Sequence, residues 1–175
     1  MPNARSLFLH LDGEIARCKR GNSRLTVIVC DLDGFKQVND RFGHLTGNRV
    51  LQRVSMGLRE CSREYDFVAR MGGDEFVLVV PELRPETILG KIQQISEMVR
   101  AIGREVCDDD VLDLSLGEAQ YGADGLHAED LLAEADRRMY IMKQRSKATQ
   151  IAKLGLALNA TGDLTSASGK RMLVN

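Results

Sequence analysis

Apolar residues recur along this chain with two periods. Leu7, Leu11, Ile15 and Cys18 fall three to four apart, which predicts a helix over 6–18. "RLTVIVC", 24–30, is a continuous apolar run, the mark of a strand buried on both faces. The polar, glycine-punctuated "DLDGFKQVNDRFGHLTGN" that follows reads as a long loop over 31–48. Val50, Leu51, Val54, Leu58 and Cys61 then form one helical stripe. "FVAR" and "FVLVV" are rich in β-branched and aromatic residues and flank Gly72-Gly73, a pair able to take φ > 0 in a tight hairpin turn. Pro85 suits a helix start, and Ile88, Leu89, Ile92, Ile95, Val99 and Ile102 continue that helix over 85–102. "DLSLGEAQY", 113–121, alternates as a strand does, and 127–147 is a helix with acids early and bases late. From 155 onward Ser, Thr, Gly and Asn without periodicity predict a mobile tail.

Without the first helix the order is βαββαβ plus a terminal helix. That is the split-βαβ, ferredoxin-like pattern of an α+β sandwich: an antiparallel sheet with helices over one face and further helices added. The domain is expected to span 2–150, with 151–175 a partly disordered C-terminal tail.

Composition narrows the partners. With 175 residues and 43% apolar content the chain fits one domain and a little more. A net charge of −1 and a pI near 6.3 argue against a broad nucleic-acid-binding face, so phosphate binding should be local. Cys18, Cys30, Cys61 and Cys107 are widely spaced, as buried free thiols in a reducing cytoplasm would be. No signal peptide or spanning segment is visible. A cytoplasmic domain is expected, or the cytosolic part of a larger membrane-bound protein.

The candidate chemistry is acidic. Asp31 and Asp33 follow the first buried strand, and Asp74 and Glu75 sit at the hairpin tip. In a βαββαβ sheet those two places can fall side by side. Carboxylates brought together stay ionised cheaply only with a cation between them, and oxygen ligands suit magnesium or manganese. Magnesium completes its shell with substrate phosphates and water, which points to a nucleoside triphosphate. Spacing alone favours plainer readings: D-x-D caps many helices, acid-rich turns are common, and Lys36, Lys143, Arg145 and Lys147 are each ordinary solvated charges.

Taken together, "DLDGFKQVNDRFGHLTGNRVL", "RMGGDEF", "LSLGEAQY" and "EADRRMYIMKQRSK" resemble, in order and spacing, a GGDEF domain of the diguanylate cyclase family. The resemblance covers roughly residues 2 to 150 and implies a nucleotide-cyclase, palm-like fold. It also implies condensation of two GTP into cyclic di-GMP with release of pyrophosphate. On that resemblance Asp31, the Leu32 carbonyl, Asp74 and Glu75 would hold the magnesium or manganese. Asp74 would accept the proton of the attacking 3′-hydroxyl, and Lys36 would stabilise charge on the phosphates. Gly72 and Gly73 would let backbone amides approach the phosphates. Lys143 and Lys147 would grip the terminal phosphates, while Phe35, Asn39 and Asn48 would bind the nucleotide. Two domains would meet as a homodimer during catalysis, normally brought together by an upstream sensor or regulatory domain.

"REYD", Arg63 to Asp66, matches the family's R-x-x-D inhibitory motif, where cyclic di-GMP binds as product; a surface salt bridge is the plainer reading. Three departures stand out. Asn48 replaces the usual aspartate, whose carboxylate accepts both guanine donors; an amide accepts only one, so purine selectivity could be relaxed. The leader D-x-L-T-G-L is absent, and Ser146 stands where a glycine usually precedes the final basic residue. A catalytically weak domain serving as a cyclic di-GMP receptor is the alternative from another class.

Overall fold

Sheet and helices alternate as the two periods require. The computed structural model describes the backbone of residues 1–166 and the side chains of residues 1–149. Helix α1 (Ala4–Gly21) leads into β1 (Leu25–Asp33), α2 (Phe35–Glu60), β2 (Phe67–Gly72), β3 (Glu75–Pro81), α3 (Pro85–Cys107), β4 (Asp113–Gln120) and α4 (Ala128–Ser166). The sheet order is β2-β3-β1-β4 with every pairing antiparallel, so β1 is central, between β3 and β4. This is the ferredoxin-like α+β arrangement expected. Among the described residues no helix is long and apolar enough to cross a membrane.

Helices cover both faces of the sheet, which corrects the expectation of one. On one face α2 and α3 pack Val38, Val54, Leu58, Ile95 and Val99 against Ile28, Cys30 and Phe76. On the other, Leu7 and Leu11 of α1 and Leu131, Ala135 and Met139 of α4 cover Val27, Val29, Val77 and Val79. The unbroken apolar run of β1 has its cause here: alternate residues feed two cores.

The expected loop over 31–48 is instead mostly helix. Phe35, Val38 and Phe42 lie three and four apart inside the polar run, and Val38 is fully buried. Gly34 opens the helix at φ 84, and a Cβ there would stand 2.0 Å from the Val111 carbonyl oxygen. Gly43, at φ 82 and ψ 160, kinks α2 in its first half. At the hairpin tip only Gly73 takes a positive φ, 48°; Gly72 belongs to β2 and pairs with Glu75 across a bulge after Arg70. Helix α3 runs past 102 to an αL cap at Asp108. Helix α4 runs to Ser166, well beyond the expected 147, over a stretch rich in Ala and Leu. Of the expected mobile tail, 167–175 lies outside the described residues.

Candidate active site

The antiparallel register brings the acids together. Asp31, 6% exposed, lies opposite Glu75 across the β1–β3 ladder and opposite Ser115 across the β1–β4 ladder. One residue on, the Leu32 N–H donates to the Asp74 carbonyl at 3.3 Å, tying the hairpin tip to the end of β1. Arg70 fixes the turn from the side, with Nε and Nη2 donating to the Gly73 carbonyl at 2.8 and 2.5 Å. Ser115 Oγ donates to Asp33 Oδ2 at 2.5 Å. Helix α4 supplies the cation: Lys143 Nζ donates to Asp31 Oδ1 at 2.5 Å. Lys143 lies four residues beyond the buried Met139, on the face that packs on the sheet.

Too little positive charge serves this cluster. Burial first, and then the Asp31 charge, pushes the Asp74 carboxyl above the ordinary carboxylate range. Glu75 is raised in the same way, by burial and by Asp31, Asp74 and Asp136. Burial also raises Asp33, against the Ser115 hydrogen bond. Burial disfavours the Lys143 ammonium, but the hydrogen bond and charge of Asp31, with Asp33 and Asp74, prevail and raise its pKa.

The donors are all oxygen and disfavour one another's charge, which a hard divalent cation would relieve. Among the described residues no three His, Cys, Asp or Glu side chains already form a cage. The fit is therefore to a site of one or two carboxylates whose shell is finished by phosphates and water, as suits magnesium.

Phe35 and Asn39 meet Gly47 across the kink of α2. A Cβ at 47 would stand 2.1 Å from Asn39 Oδ1 and 3.4 Å from the Phe35 ring. Asn48 follows, lining a groove of about 620 Å³ between α2, the chain start and Arg70. Lys36 and Lys147 are exposed, and neither makes an ion pair with the cluster among the described residues. Arg70, Ser115 and Asp136 were not singled out in the sequence. Arg70 was visible, three residues before Gly73, but only the bulge turns its side chain back onto the turn.

The R-x-x-D residues form no ion pair with each other among the described contacts. Arg63 is exposed, with its guanidinium 5.8 Å from the Tyr65 ring centroid and Nη1 3.0 Å from the Tyr65 hydroxyl. The Asp66 side chain is fully buried: Oδ2 accepts from the Arg63 N–H at 2.9 Å and from Lys91 Nζ at 3.4 Å. Asp66 Oδ1 is buried with no partner. Both residues line a second groove of about 260 Å³. Asp66→Ala is expected to lower the melting temperature, by about 3 kcal/mol in stability, since it strands the Lys91 ammonium, 10% exposed, without its carboxylate. A thermal melt against Asp66→Asn, which loses less, checks this.

A ferredoxin-like sheet with carboxylates gathered where its central strand meets a glycine hairpin defines a palm-like, nucleotidyl-cyclase class of domain. The family model described as diguanylate cyclase, GGDEF domain, matches residues 1–149. The chain belongs to that family. It is 34% identical over 147 residues to diguanylate cyclase DosC of Escherichia coli K12, covering 83% of this chain and 32% of that one. It is 35% identical over 151 residues to the bifunctional diguanylate cyclase/cyclic di-GMP phosphodiesterase MucR of Pseudomonas aeruginosa, covering 84% of this chain and 22% of that one. The chain thus spans a third or less of these relatives' lengths. Among solved structures, a sensory box/GGDEF family protein from Caulobacter crescentus CB15 superposes with a TM-score of 0.74 at 34% identity, covering 82% of this chain and 93% of that one. The GGDEF domain of DgcB from the same species, solved in complex with c-di-GMP, gives 0.73 at 25% identity, with 81% and 85% covered.

Proposed function

We propose that this chain is the catalytic domain of a diguanylate cyclase, joining two GTP into cyclic di-GMP with release of pyrophosphate. The observation that carries the reading is the meeting of Asp31, the Asp74–Glu75 tip and Lys143 at the end of β1. The 3′-oxygen of one nucleotide attacks the α-phosphorus of the other. Asp74, raised above the usual carboxylate range by burial and Asp31, takes the hydroxyl proton. A divalent cation held by Asp31, Asp74 or Glu75, and the Leu32 carbonyl would neutralise charge on the phosphates and on the leaving pyrophosphate. Lys143 and Lys36 add positive charge at the phosphates, Lys147 less directly. The exposed Gly72-Gly73 turn lets phosphate approach the backbone, and Phe35, Asn39 and Asn48 hold the base. Each domain binds one nucleotide and the product needs two new bonds, so two domains must face each other. An upstream sensor segment of a longer protein would promote that pairing.

With magnesium and GTP the protein is expected to make cyclic di-GMP at a rate per subunit that rises with protein concentration. Asn48→Asp is expected to raise the preference for GTP over ATP about tenfold, because a carboxylate accepts from both guanine donors. Absence of the dinucleotide at any concentration would sink the cyclase reading. The buried, unpartnered Asp66 Oδ1 favours a second reading, a cyclic di-GMP receptor acting through Arg63 and Asp66. Binding of cyclic di-GMP without synthesis would select it.

A further inference from the structure

One oxygen of the acidic cluster is claimed twice. Lys143 Nζ stands 2.5 Å from Asp31 Oδ1, and Asp31 is also one of the carboxylates offered to a divalent cation. Magnesium sits about 2.1 Å from a carboxylate oxygen. On the same oxygen the ammonium and the cation would be no more than about 4.6 Å apart, a doubly charged ion beside a singly charged one. The Asp31 side chain is 9% exposed, so solvent and salt screen that repulsion poorly. One of the two must give way.

Lys143 is the one able to move. Asp31 lies within β1, paired with Glu75 on one side and Ser115 on the other, and cannot follow a ligand. Lys143 ends a flexible four-carbon stem, with a side chain 26% exposed, on a helix seated through the buried Ala135 and Met139. Among the described residues it is also the only cation paired with Asp31, Asp33, Asp74 or Glu75. Arg70 lies at the hairpin tip but donates to the Gly73 carbonyl, and Lys36 is exposed and pairs with none of these carboxylates among the described residues. A displaced ammonium needs a new counter-charge. The phosphates of a nucleotide, placed at this end of β1 by the cyclase reading, provide it.

We propose that Lys143 is a built-in counter-cation that competes with the divalent metal for Asp31 and yields to it only when a nucleoside triphosphate arrives to receive the ammonium. The competition rests on the 2.5 Å contact; the identity of the nucleotide rests on the cyclase reading above. Without nucleotide, metal binding strips the ammonium from Asp31 and leaves it without a partner, so the metal binds weakly. With nucleotide, the same move exchanges one ion pair for another. Metal and nucleotide therefore bind with positive coupling, equal in both directions by linkage. That coupling adds to the direct contact of metal with phosphate, and it keeps the metal from settling on the acids ahead of the substrate.

The test is titration of manganese into the full chain without nucleotide, followed by the paramagnetic resonance signal of the free ion. Lys143→Gln is expected to bind manganese about tenfold more tightly than the wild type, the scale on which a close like charge acts at a partly buried site. Lys143→Arg, which keeps the charge, should stay near the wild type, and so should Lys36→Gln. With 3′-deoxy-GTP, which lacks the attacking hydroxyl, the sign reverses. Lys143→Gln should bind that nucleotide, with manganese present, about tenfold more weakly, because a phosphate loses a charge-assisted hydrogen bond. A residue that served only to grip phosphate would leave the nucleotide-free manganese affinity unchanged. Thermal melts give a second measure: Lys143→Gln strands the Asp31 carboxylate, so it should melt below the wild type and regain more from manganese. Manganese affinity in Lys143→Gln equal to or weaker than that of the wild type, or no binding to either, overturns the proposal. The expected tightening without any binding of 3′-deoxy-GTP would sustain the competition at Asp31 and overturn the nucleotide's part together with the cyclase reading.

Discussion

Asp74→Asn is expected to abolish cyclic di-GMP synthesis and, at neutral pH, to raise the melting temperature of the metal-free protein. Activity should fall by about 10³-fold or more, because one side chain is asked both to accept the proton and to share the cation. The gain in stability comes from the same crowding. Asp74 is raised by burial and by Asp31, and Glu75 by burial, Asp31 and Asp74; Lys143, with a backbone hydrogen bond and Arg70 at Asp74, offsets them only in part. An acid whose pKa is higher folded than unfolded binds more protons in the native state. Stability therefore falls as pH rises through that window, and the penalty is complete above the raised folded value. An amide has no such penalty. Asp74 is only half-buried, so solvent screening limits the gain to under about 1 kcal/mol, or about 1–4 °C. The difference should be full near pH 8 and vanish only well below the ordinary value of 3.8, at about pH 2.5, where the wild-type carboxyl is protonated in both states. Magnesium should raise the melting temperature of the wild type more than that of the variant. Paired melts across pH, with a product assay at pH 8, check each part; a variant that keeps its synthesis would remove Asp74 from the chemistry.

Physical reasons separate what the chain reveals in one dimension from what it conceals. The meeting of Asp31 with the Asp74–Glu75 tip was legible because it needs only a central strand, a hairpin and antiparallel register, and each has a strong local signal. The start of α2 was not. Gly34 and Gly43 punctuate it as a loop would be punctuated, and the three apolar residues of its inner face are outnumbered by polar ones facing out. One glycine serves a left-handed entry and the other a kink, functions that sequence alone does not tell from a turn. The R-x-x-D motif was legible as a pattern, yet its two side chains have separate tasks: Asp66 caps and neutralises inside, while Arg63 faces out. Lys143 was expected at terminal phosphates and stands on Asp31, 112 residues away in sequence, because of where α4 is seated.

That seat is Gly117, and Gly117→Ala is expected to be the most damaging single-methyl change away from the carboxylates. A Cβ at 117 would stand 2.0 Å from the Ala135 carbonyl oxygen, 2.3 Å from the Met139 nitrogen and 2.9 Å from the Arg138 carbonyl carbon. All three are backbone atoms of α4, so no rotamer change can clear them; the helix must lift from β4. Overpacking of this kind costs about 3 kcal/mol, which for a chain of this length lowers the melting temperature by about 10 °C. The consequence for function follows from leverage. Ala135 and Met139 are buried against the sheet on the same helical face as Lys143, so a lifted α4 carries the ammonium away from Asp31, with which it now makes a 2.5 Å contact. Misplacement by about 1 Å can cost about 10²-fold in turnover, so the folded fraction of the variant should be nearly inactive as well as less stable. Gly13→Ala supplies the contrast. Gly13 lies within α1 with nothing within 4 Å of its would-be Cβ, so alanine should raise stability by about 0.5–1 kcal/mol through helix propensity. Melts and turnover measured side by side on the two variants separate the seating of α4 from any general sensitivity to an added methyl. Wild-type stability and rate in Gly117→Ala would show that Lys143 reaches the acids by some other packing.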